Sequence, residues 1–210
     1  MKKETRFHIA AVMLTSFVLW TAALRVVDVQ PIGPEGTAVG FAAVNQLFHR
    51  FTGVHMTLYT LTDWLSLVPL CLIAGFAVLG AVQWVQRKHL PKVDRSILVL
   101  GGFYAVVLAC YAFFEAVVIN CRPVLIDGRL EPSYPSSTTM LMLCVMPTAA
   151  MQLRQRIKNN GFRRCVSYAI ILFTVSMVFL RLISGVHWLT DIIGGALLST
   201  GLVLLYQSLS

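Results

Sequence analysis

Six apolar stretches dominate the chain, at residues 7–24, 58–85, 97–119, 136–153, 165–180 and 189–206. A helix needs about 20 predominantly apolar residues to cross the hydrocarbon core of a bilayer. Lipid offers the backbone no hydrogen-bond partners, so a spanning segment of this kind must be helical. The fifth and sixth stretches are separated only by residues 181–188, and Ser184-Gly185 reads as a turn between them, since a single helix over 165–206 would have twice the needed length. The pattern predicts an all-α integral membrane bundle of six transmembrane helices, forming a single domain over residues 1–210. Composition agrees: 57% of residues are hydrophobic and 12% charged, with a mean hydropathy of +0.75, against roughly 25% charged in a soluble domain.

Orientation follows from the cations. Three Lys/Arg lie in residues 1–6, four in 87–95 and five in 154–164, whereas the alternate loops hold only Arg25, Arg50, Arg122, Arg129 and Arg181. With six crossings the three basic segments share one side. The positive-inside rule makes that side cytoplasmic and places both termini there, in a multi-pass protein of the plasma membrane, of bacterial type. Topology thus accounts for the net charge of +8, and nucleic acid is not needed as a partner. The first stretch follows a basic start, but its 18 residues exceed a signal-peptide core, and an uncleaved helix is expected. Five scattered cysteines imply no disulfide framework. In the long loop 27–57, Val44, Leu47, Phe48 and Phe51 recur at helical spacing. They predict a short amphipathic interfacial helix, either an anchor or a lid that guides substrate.

Polar residues inside such a chain are costly and call for a reason. On this topology Arg122 after the third helix, "PSYPSSTT" (132–139) before the fourth, Arg181 at the end of the fifth, and His187 with Asp191 at the start of the sixth all face outward. His187 and Asp191 are four residues apart and share a helix face, so the carboxylate orients one ring nitrogen and leaves the other as nucleophile or base. The guanidinium forks of Arg122 and Arg181 suit phosphate oxygens. Pro135 as a first helical residue directs the amides of Ser136, Ser137 and Thr138 at the same place. Together these describe a phosphoryl-transfer site that requires neither metal nor cofactor. Each residue also has a plainer use: arginines at helix ends snorkel to headgroups, Ser and Thr cap helices, His187 and Asp191 pair in packing, and Asp63 pairs with an arginine.

At these residues the chain resembles the type 2 phosphatidic acid phosphatase family, membrane lipid phosphatases whose site is similar to that of vanadium haloperoxidases. The third family motif, Arg-x5-His-x3-Asp, is matched by Arg181, His187 and Asp191, with Ser184-Gly185 between them. Arg122-Pro123 matches part of the first, and Pro135-Ser136 half of the second. The resemblance implies that His187 attacks phosphorus to form a phosphohistidine and that Asp191 orients it. It also implies that Arg122, Arg181, Ser136 and the neighbouring amides hold the phosphate of a membrane lipid, and that water then releases inorganic phosphate.

Two positions depart from the family pattern. Glu115 stands where the first motif has a lysine, and Thr138 where the second has the histidine that protonates the leaving alkoxide. A threonine hydroxyl is too weak an acid for that task. Three readings stay open: a diphosphate substrate whose leaving group departs unaided; another donor, with Glu115 and Asp63 as candidates beside Asp127, Glu131, His49 and His55 on the outer loops; or a non-catalytic lipid-phosphate binding or transport protein. A lipid phosphotransferase of the same fold is a variant of the first two.

Overall fold

In a computed structural model, described over residues 2–209, the chain forms eight α-helices. They are α1 (Lys3–Ala23), α2 (Ala42–Thr52), α3 (Met56–Leu65), α4 (Leu67–Arg87), α5 (Arg95–Ala116), α6 (Ser137–Arg156), α7 (Asn160–Ile183) and α8 (Leu189–Leu209). Helices α3 and α4 run on through Ser66 as one 32-residue span. The break has a local cause. Pro69 has no N–H to give the carbonyl of Leu65, four residues earlier, and the helix is reset there. Spans α1, α3–α4, α5, α7 and α8 are long and apolar enough to cross a membrane, and the chain is a multi-pass membrane protein.

The fourth predicted crossing has a different character. Helix α6 runs to 20 residues but is too polar to stand among those five. It sits centrally, against α4, α5, α7 and α8, and is surrounded by protein rather than lipid. Its polar side chains are therefore paired inside the bundle. Thr148 donates to the Cys144 carbonyl, and Gln152 donates to the Tyr206 hydroxyl and the Ser96 carbonyl. Close packing of α8 depends on small residues: a Cβ at Gly201 would stand 2.7 Å from Leu14 of α1, and one at Gly194 would stand 2.4 Å from the Tyr134 ring. Aromatic rings of Phe17, Phe114 and Tyr134 stack and meet edge-on beside this seam.

The predicted interfacial helix is α2. Its Leu47 and Phe51 are 72% and 87% exposed, an apolar face turned away from the bundle. The opposite face is pinned to the start of α8, where the Asn45 amide exchanges hydrogen bonds with the backbone and hydroxyl of Thr190. Asp28 holds the same N-terminal end, accepting from the amide of Ala43. The first residues of α1 and α5 and the last of α6 and α8 meet around one cavity at one end of the bundle. The loops that carry Arg122, Ser136 and His187 gather at the other.

Candidate active site

Four segments build the site. The loop between α5 and α6 folds back on itself: the Arg122 amide donates to the Glu131 carbonyl at 3.0 Å, and that of Ser133 to Asn120 at 2.9 Å. This hairpin presents Arg122. The turn between α7 and α8 presents His187, and the Trp188 indole ties it to the hairpin through the Cys121 carbonyl at 2.8 Å. The turn requires glycine at 185, where φ is +70° and a Cβ would stand 1.8 Å from the Gly53 carbonyl oxygen. Helix α3 forms a further wall and α6 the last.

The Arg122 Nη1 lies 3.3 Å from His187 Nε2. A guanidinium only donates, so Nε2 accepts and the ring proton belongs on Nδ1. Nδ1 faces Asp191 Oδ2 at 3.6 Å, too long for a hydrogen bond. The carboxylate itself is fixed: Oδ1 accepts from the Asn120 amide at 3.1 Å and Oδ2 from the Trp188 backbone at 3.0 Å. Burial first, then the charges of Arg122 and Arg181, hold the His187 imidazolium well below its ordinary pKa, so the ring is neutral at physiological pH.

Arg181 is 1% exposed. Its Nη1 donates to Thr62 Oγ1 at 3.1 Å, and its Nε has no partner among the described residues. Both guanidiniums lie over one ring: Tyr59 of α3 is 4.8 Å from Arg181 and 5.7 Å from Arg122, centroid to Cζ. The ring's negative face thus offsets two like charges held close together. Arg122 also pairs with Glu131, Nε to Oε2 at 3.0 Å.

These groups border a cavity of about 520 Å³ walled by Tyr59, Asp63, Glu115, Arg122, Glu131, Ser137, Thr138 and Arg181 among others. His187 stands behind Arg122 and opens instead onto a narrow adjoining cleft shared with Tyr111, Glu115 and Ser137. The structure thus brings together Arg122, Arg181, His187, Asp191, Ser137, Thr138, Glu115 and Asp63. It leaves other residues out of both cavities. His55 turns its ring nitrogen back to the Thr52 carbonyl, His49 packs against the Trp188 ring, and Asp127 occupies the hairpin turn with φ of +49°.

One local expectation is corrected. Pro135 is not the first residue of α6: Ser136 is the N-cap and Ser137 begins the helix, after a cis Tyr134-Pro135 bond. The Ser136 amide is also not free, because it donates to the Asp191 carbonyl, while its hydroxyl accepts from Thr139. Ser136 therefore fixes α6 against α8, and the amides and hydroxyls left to meet a ligand are those of Ser137 and Thr138. Tyr59, Thr62 and Asn120 were not foreseen from sequence. Only Asn120 carried any signal, as the polar residue that ends an apolar run two places before Arg122.

No curated relative matches the sequence. Among solved structures, the chain is similar to the crystal structure of the first transmembrane PAP2 type phosphatidylglycerolphosphate phosphatase from Bacillus subtilis, with a TM-score of 0.65 at 17% identity, over 95% of this chain and 93% of that one. At that identity the likeness is one of fold. The family model of the PAP2 superfamily matches residues 98–209, more than half of the chain and the whole stretch that carries Arg122, Arg181, His187 and Asp191. The chain belongs to the PAP2 superfamily.

Proposed function

We propose that the protein is a membrane lipid phosphatase, acting on a lipid phosphate or diphosphate through a phosphohistidine on His187. The observation that carries this reading is the Arg122–His187–Asp191 arrangement, 3.3 Å and 3.6 Å between successive groups, beside a cavity that also holds Arg181. Phosphate takes the place of His187 Nε2 as the acceptor of Arg122, bridges to Arg181 and the start of α6, and leaves the Nε2 lone pair free. Nε2 attacks phosphorus as the ester P–O bond breaks, and Asp191 stabilises the proton on Nδ1 as the ring gains charge. Water then attacks the P–N bond, releasing inorganic phosphate and neutral His187. The guanidiniums and Ser137/Thr138 amides stabilise charge on the phosphoryl oxygens throughout.

Glu115 is the best-placed donor for a leaving alkoxide, since it borders both the main cavity and the cleft onto which His187 opens, whereas Asp63 borders the main cavity alone. The three basic segments support a cytoplasmic location for the opposite end, and therefore an extracytoplasmic site in the plasma membrane. Phosphate release by purified protein in detergent, from matched lipid monophosphates and diphosphates, tests the reading with His187→Ala as control. Glu115→Gln is expected to slow monophosphates by about 10²–10⁴-fold and diphosphates little. Equal turnover by His187→Ala would remove the proposal. A wild type that binds lipid phosphates but releases nothing from any of them would make the chain a binding protein.

A further inference from the structure

A second cavity, of about 510 Å³, lies at the basic end of the bundle, enclosed by α1, α5, α6 and α8. Residues 137 to 152 of α6 and 191 to 206 of α8 separate it from the catalytic groups, fifteen steps or about 22 Å along each helix. Lys3, Arg6 and Arg95 line it, and no acidic residue does so among the described residues. The cations alone would be an ordinary basic membrane face; the wall behind them is more specific. Tyr206 is 3% exposed, and its hydroxyl accepts from Gln152, which is 1% exposed, so its own proton is left to donate into the cavity. Gln152 is locked by further bonds to Ser96 and Arg156. Arg6 uses Nη1 on the Gln207 carbonyl, and its Nε is buried with no partner among the described residues.

We infer that this cavity is a second anion site, built to take a phosphate group independently of the catalytic centre. A buried phenolic donor, a guanidinium with unused capacity and two further cations match the several acceptor oxygens of a phosphate. The group comes either from an anionic phospholipid headgroup or from a free phosphate compound. Helix α6 walls both cavities, and α8 runs from Asp191 at its start to Tyr206 in the wall of this one, so an anion here steadies the two helices that carry Ser137, Thr138 and Asp191.

The test is native mass spectrometry of the detergent-solubilised full chain titrated with phosphatidylglycerol and, separately, phosphatidylcholine. Arg6→Gln/Arg95→Gln is expected to weaken phosphatidylglycerol binding by about 10–30-fold, two surface cations being removed. Arg122→Gln, at the catalytic cavity, and Arg163→Gln/Arg164→Gln, basic residues of the same end outside this cavity, are expected to retain it. Displacement of the lipid by millimolar pyrophosphate assigns the site to free phosphates, and resistance assigns it to headgroups. An equal loss in Arg163→Gln/Arg164→Gln, a loss confined to Arg122→Gln, or full retention in Arg6→Gln/Arg95→Gln overturns the inference. If the double variant does not fold, Tyr206→Phe decides: a several-fold loss supports the site and no loss overturns it.

Discussion

Replacing Tyr59 should separate the arginine pair's support from the chemistry it serves. Its ring lies 4.8 Å from the Arg181 Cζ and 5.7 Å from that of Arg122. Each contact is worth about 0.5–1 kcal/mol in a partly exposed setting, so Tyr59→Leu removes about 1–2 kcal/mol of support for two like charges. The backbone carbonyl of Tyr59 and the Thr62 hydroxyl still receive Arg181, so the helix contact survives the change. On the proposed mechanism the loss appears mainly in phosphate affinity: KM rises about 5–30-fold, and inhibition by vanadate or inorganic phosphate weakens in proportion. Tyr59→Phe keeps the face of the ring and is expected to stay within about threefold of wild type. Steady-state kinetics on a detergent-soluble lipid phosphate would read both variants. If Tyr59→Phe proves as damaging as Tyr59→Leu, the hydroxyl matters rather than the ring face, and the reasoning fails.

Asp191→Asn should reduce turnover severely, on the order of the 10⁴-fold seen when a triad carboxylate is changed, with phosphate binding little affected because Arg122 and Arg181 remain. Burial lowers the His187 pKa, so the ring remains neutral as pH falls through 6.5 and the acid limb of its titration lies below that value. Nitrogen-15 NMR of labelled protein should therefore find His187 neutral at pH 6.5, and a half-protonated ring there would contradict the reading. The unfolded chain binds that proton more readily, so stability is full above pH 6.5 and is lost as pH falls toward the folded value. Gly185→Ala must accommodate φ of +70° and a Cβ 1.8 Å from the Gly53 oxygen, and is expected to cost about 2 kcal/mol or more. Thermal unfolding in detergent would show it as a lowered Tm, and an unchanged Tm would mean the turn relaxes freely.

Much of the architecture is visible in the chain because the bilayer imposes a length and a composition on each crossing. Helices α1, α5, α7 and α8 follow that rule, and the Ser184-Gly185 break between the last two is forced by length alone. Helix α6 shows where the rule stops: Thr138, Thr148 and Gln152 make it polar, and only its central place among four neighbours explains how it is accommodated. Within the site, Arg181, His187 and Asp191 are legible because their spacing on adjacent helix ends fixes their relation. Arg122 joins them only through the hairpin, whose pairing across residues 121–132 has no strong sequence signature. Tyr59, Thr62 and Asn120 act through contacts between elements, set by how α3 docks against α7 and how the hairpin meets α8. Nothing in the local sequence marks Tyr59 or Thr62, and Asn120 is marked only as the polar residue that ends an apolar run. Helix α6 likewise begins at Ser137, two residues after the place that helix-capping preference assigns.

The central claim is that His187 becomes covalently phosphorylated during turnover. Rapid acid-free quenching of the wild-type protein with substrate, followed by peptide mass spectrometry under alkaline conditions, measures this directly. The account predicts one phosphoryl group on the peptide containing His187, absent in His187→Ala and lost on further incubation as phosphate appears. A wild type that turns over substrate with no phosphorylated peptide, while His187→Ala turns over at the same rate, would contradict it.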